Sequence, residues 1–99
     1  MAKVWPFKDP NEVADYSINW LGTAEDPGRL FSIGDTIASS VWTVDPVGIT
    51  MDSIPFTTTT ATVWLSGGVL DQTYVFTNRI TTGGGRTFDQ SVKLKMKTK

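Results

Sequence analysis

The sequence predicts an all-β protein, an immunoglobulin-like β-sandwich of about six to seven antiparallel strands, and three observations lead there. Apolar and polar residues alternate with period two in several segments. Those segments are rich in β-branched and aromatic residues. Between them, at spacings of about ten residues, stand Gly, Pro and Asp clusters that turn the chain.

Taken in order, the N-terminal stretch MAKVWPFKDP reads as an arm over residues 1–8, followed by a single domain over 9–99. In DYSINW the residues Tyr16, Ile18 and Trp20 alternate as a strand does, with a turn at Leu21 and Trp20 assigned to the core. TAEDPGRLFSIG is a loop, because Pro27-Gly28 is a strong turn signal. GDTIASSVWTV is a strand opened by a Gly-Asp turn. In it Ile37 and Val41 do not share parity with Trp42 and Val44, so either a bulge shifts the register or Trp42 faces out.

DPVGITM and IPFTTTT are short strands or connections, held to edges or strand starts by Pro46 and Pro55. TATVWLSGG puts Ala61, Val63 and Leu65 on one face and Thr62, Trp64 and Ser66 on the other, which turns Trp64 outward. In QTYVFTNRITT the residues Tyr74, Phe76 and Ile80 oppose Val75, Thr77 and Arg79. TFDQSVKLKMK alternates Phe88, Val92, Leu94 and Met96 with lysines, a pattern expected of an edge strand protected by charge.

Composition narrows the chemistry. A chain of 99 residues fits one domain and buries roughly 65% of its unfolded surface. Nine basic and ten acidic residues nearly cancel, so no electrostatic footprint for nucleic acid is visible. Without cysteine or histidine there is no disulfide framework, zinc–thiolate site, imidazole ligand or His-dependent nucleophile. No apolar run is long enough to span a bilayer or to serve as a signal peptide.

TNRITTGGGRTF is the one stretch that looks like a phosphate loop. Such a loop leads from a strand into a helix, whereas this one leads into a strand. Gly83 to Gly85 are therefore expected at the positive-φ positions of a hairpin turn, a loop that is mobile or else held by a partner. The acidic residues, Asp35 and Asp45 among them, sit beside turn formers, and no DxDxDG spacing supports calcium. No catalytic, cofactor or metal residues are expected. An outward Trp64 and an arm carrying Trp5 and Phe7 can instead dock a partner, though the arm can equally pack on its own domain. Exposed Trp64 and Trp42 also allow an alternative, a carbohydrate-binding module that stacks sugars on both rings.

The motifs DYSINW, GDTIASSVW, VWLSGG and TNRITT…GR, in this combination, resemble those of the phage fiber-tail adaptor family, and the resemblance spans roughly residues 9 to 97. TAEDPGRLFSIG is longer than the corresponding pattern of that family. The resemblance implies an immunoglobulin-like virion protein, made in the cytoplasm of a bacterial host, that links a tail or portal-proximal platform to a fiber or neighbouring ring without catalysis or cofactor. Its partners would be other virion proteins, met in multiple copies in a symmetric ring; nucleic acid and membrane are not expected. Capsid decoration, or the base of a head fiber, is the alternative virion role. The residues expected to dock are Trp5, Phe7, Trp64, Arg79 and Arg86. Removing residues 2–8 is expected to abolish incorporation into particles while leaving the domain folded.

Overall fold

The computed structural model describes residues 3–23, 25, 27–31 and 33–98. Its strands are β1 (Lys3–Val4), β2 (Ala14–Asn19), β3 (Ile37–Asp45), β4 (Ile49–Ser53), β5 (Thr60–Gly67), β6 (Thr73–Thr82) and β7 (Thr87–Lys95). They form two sheets, β1-β7-β6-β3 and β2-β5-β4. Every pairing is antiparallel except that of β1, which lies parallel to β7. The expected six to seven antiparallel strands are thus six, with a two-residue strand added in parallel.

β2 to β7 take the places of strands B to G of an immunoglobulin domain, with B, E and D in one sheet and C, F and G in the other. Two further marks of that fold are present. Tyr74, near the start of β6, accepts a hydrogen bond on its phenolic oxygen from the Val69 N–H at 3.0 Å, closing the corner between β5 and β6. Trp42, on β3, is 5% exposed. In antibody domains this tryptophan packs on a disulfide. Here, with no cysteine, it meets the ring of Trp5 at 5.8 Å.

Alternation places the core as expected. Ala61, Val63 and Leu65 from β5, Tyr74, Phe76 and Ile80 from β6, Val92 and Leu94 from β7, and Met96 just past it are all buried between the sheets. The parity conflict in β3 resolves through a register shift between Ile37 and Ser39, which lets Ile37 and Trp42 both face inward and turns Val41 out. Trp42 is therefore a core residue and no stacking platform for a sugar.

A carboxamide crosses this core. Asn78 is fully buried on β6; its carboxamide accepts from Trp20 Nε1 at 2.8 Å and donates to Ser40 Oγ at 2.9 Å and the Val41 carbonyl at 3.0 Å. Three elements, the end of β2, β3 and β6, are thereby fixed at one point, and a buried polar group finds the partners its burial requires.

The arm is built into the sandwich. Lys3 and Val4 pair with Val92 and Lys93, and the Trp5 N–H donates to the Lys93 carbonyl at 2.9 Å. Trp5, 9% exposed, stacks on Tyr16 with centroids 4.9 Å apart and tilts against Phe76 at 5.6 Å. Lys8 follows it inside: its ammonium donates to the carbonyls of Gly67 (2.9 Å) and Asp9 (3.0 Å). Burial pushes the Lys8 pKa below its ordinary value, against the opposing pull of Glu12, Asp9 and Asp52. β7 is consequently not an edge strand over its second half, because the arm covers Val92 to Met96. Its lysines coat the outer face. Removing residues 2–8 would take the Trp5 ring out of the core and leave Val92 to Met96 without the arm that covers them.

Candidate docking surfaces

The five residues expected to dock do not converge on one site. Trp5 lies in the interior, so its own domain holds that ring and leaves no face of it for a partner. Phe7, two residues on, is exposed, and the Lys97 ammonium sits 4.6 Å from its ring centre.

Trp64 is 40% exposed on the outer face of β2-β5-β4, opposite Asp15 of β2 and Ser53 of β4. Its surroundings are hydroxyl-rich. Ser17 and Thr62 share a hydrogen bond at 2.8 Å across the strands, and Ser66 donates to Asp52 at 3.1 Å. A lone indole on such a face is the outward residue that strand parity requires.

Arg79 and Arg86 both belong to the β6–β7 hairpin, on the other sheet. Arg79 faces Asp89 directly across the ladder and binds it bidentately, at 2.8 and 3.0 Å. The bond holds Asp89 below the ordinary carboxylate range and raises Arg79. Arg86 stands at the hairpin tip and reaches Asp35 Oδ2 at 2.9 Å. Both guanidinium groups thus have carboxylate partners within the chain.

Asp35 organises the glycine turn. Besides Arg86 it accepts the N–H of Gly84 at 3.1 Å and of Thr36 at 2.9 Å. Its pKa is brought down to about 2, chiefly by the Thr82 hydroxyl and then by Thr36, Arg86 and Gly84, with partial burial opposing. The loop expected to be mobile or held by a partner is held by its own chain. Of its glycines only Gly85 has positive φ, at 90°. Gly84 is needed for space: a Cβ there would lie 2.7 Å from Asp35 Oδ2.

Strand parity did not point to the exposed apolar side chains of the connections. Where β1–β2, β3–β4 and β5–β6 join, Phe7, Val13, Val47, Val69 and Leu70 are exposed, Val47 to 87%. Gly48 lies against the Tyr74 hydroxyl and a Val69 methyl, which brings two of these connections together. At the opposite end, on β2–β3 and β4–β5, Leu21, Phe31, Ile33, Ile54 and Phe56 are exposed. Both sheets' outer faces are mostly polar between them. A valine in the middle of DPVG, with no strand to hide it, was the available signal for the first group.

The model of the podophage GP4 fiber-tail adaptor protein gp77 family matches residues 8–95, nearly the whole chain. The chain belongs to that family. No curated protein matches it. As a fiber-tail adaptor it is a structural protein of a phage, which points away from catalysis. Among the described residues of the adaptor, no cluster of three metal-ligating side chains occurs and no helix is long and apolar enough to cross a membrane.

Proposed function

We propose that this adaptor joins a tail or portal-proximal platform to a fiber, docking neighbouring virion proteins through shape and apolar contact, in multiple copies arranged as a ring. The observation that supports this reading best is the distribution of exposed apolar side chains. Most of them gather at the two ends of a domain whose extents are 40 × 26 × 19 Å, with Val4, Val41 and Trp64 the exceptions on strands. An elongated body with two apolar ends is suited to bridging two partners, since exposed apolar groups gathered together mark interaction sites. Phe7 stands at one end and Arg86 at the other, while Trp64 and Arg79 mark the two outer faces.

Quantitative mass spectrometry of purified particles tests this, with the major capsid protein as the reference. Roughly a few to some tens of copies per particle fits a ring at the tail or neck. Copies in the hundreds would make it a decoration of the shell, and absence from particles would sink the virion role. Val47→Asp with Leu70→Asp, both at exposed positions, is expected to leave the domain folded and to lower incorporation.

A further inference from the structure

The sheet order leaves β3 at an outer edge. β6 pairs with one side of it and, among the described residues, no strand pairs with the other. Bare edges template pairing with another chain, so they are usually short, charged, bulged or interrupted by proline. The other edges here carry such devices. β1 has two residues, the open half of β7 carries Asp89, and β2 carries Asp15. β4 has a register shift between Met51 and Ser53, carries Asp52 and runs into Pro55.

β3 has none of these over its main length. Ser39 to Val44, SSVWTV, contains no charge and no proline, and the register shift of the strand comes before it. Variable-type immunoglobulin domains place additional strands at this edge of the sheet. This chain crosses from β3 to β4 in the other sheet and adds none.

The direction of the backbone can be read from Asn78. Its carboxamide, on β6, donates to the Val41 carbonyl, so the polar groups of Val41 turn towards β6. Because these groups alternate along a strand, those of Ser40, Trp42 and Val44 turn to the open side. We infer that β3 pairs antiparallel with β3 of a second copy of this chain, about a two-fold axis at Trp42.

In that register Trp42 opposes itself, Ser40 opposes Val44, and Val41 opposes Thr43. Every opposed pair from Ser40 to Val44 is uncharged; Asp45, the nearest charge, falls opposite Ser39. The edge is therefore its own complement, as a two-fold interface requires. On the outer face Val41, 53% exposed, lines with Thr43, Thr77 and Arg79 a shallow hollow of about 200 Å³. Val41 and Thr43 of the second copy would lie beside it and cover Val41. This inference does not rest on the adaptor role.

Sedimentation velocity and light scattering on the purified chain, over a series from about micromolar to millimolar, test it, since an interface of one short strand pair is expected to be weak. The mass is expected to move from 10.9 kDa towards twice that value. Val41→Lys with Thr43→Lys, at outward positions, sets lysine against lysine and should abolish association. Val41→Lys with Thr43→Glu sets lysine against glutamate across the axis and should restore it. Far-ultraviolet circular dichroism checks that both variants fold. A wild-type chain that stays monomeric throughout, a double-lysine variant that still dimerises, or a Lys/Glu variant that does not would overturn the inference.

Discussion

Asp35 holds Arg86 from 51 positions away: its Oδ2 accepts from Arg86 Nη1 at 2.9 Å while its Oδ1 takes the Gly84 N–H at 3.1 Å. The tip of the β6–β7 hairpin is thereby tied to the start of β3. With a folded pKa near 2 against an ordinary value of 3.8, this carboxylate binds protons more weakly in the folded than in the unfolded chain. Its stabilisation is fully present above the unfolded value and is lost as pH falls through about 2. Thermal unfolding followed between pH 5 and 1.5 should show a stability loss over that window, smaller in Asp35→Asn. Equal losses in both proteins would remove Asp35 from the account.

The three glycines of the turn should respond differently to alanine. A Cβ at Gly83 finds its nearest neighbour at 3.8 Å, so Gly83→Ala is expected to be near neutral. Gly85→Ala forces a side chain into φ 90° and should cost about 1–3 kcal/mol. Gly84→Ala pushes on a carboxylate that is itself fixed by hydrogen bonds, and should release the Arg86 contact. Urea unfolding midpoints rank the three, and amide exchange at Gly84 reports the release.

Trp5→Ala removes a ring from among Tyr16, Trp42 and Phe76. Truncating a buried aromatic to alanine costs about 3–5 kcal/mol. For a domain of this size the melting temperature should drop by at least 10 °C, at roughly 4–8 °C per kcal/mol. A drop of only a degree or two would mean that the arm is not seated in the core in solution.

Asn78→Ala leaves Trp20 Nε1 buried without an acceptor and also strips the Ser40 hydroxyl of its donor. The stranded indole N–H alone is expected to cost about 1–3 kcal/mol. Chemical denaturation of Asn78→Ala beside Thr77→Ala, a change on the opposite parity of the same strand, separates the buried network from generic truncation.

Much of the sandwich was legible because its strands are half-buried. Where one face is core and the other is water, as in β5 and β6, parity alone names the inward residues. The parity conflict at Ile37 and Trp42 announced a bulge without choosing it, because the choice depends on how β6 lies alongside. The arm was not legible in this way. β1 has two residues, too few for any period, and Lys8 is buried only because the Gly67 carbonyl, 59 residues later, receives its ammonium. Of the residues expected to dock, Trp64 and its outward position followed from strand parity. The ion pairs of Arg79 and Arg86 did not, since they depend on hairpin register and on a loop from across the domain.

The parallel pairing of β1 with β7 bears on how the domain is made. Residues 3–8 leave the ribosome well before Val92 to Met96, yet those late residues are what they pair with. Until β7 emerges, residues 3–8 lack the strand they pair with, and the nascent sandwich keeps a greasy seam where Val92, Leu94 and Met96 will lie. Closure across so long a stretch of chain is intrinsically slow, so the nascent domain is most prone to stick to its neighbours just before β7 is made.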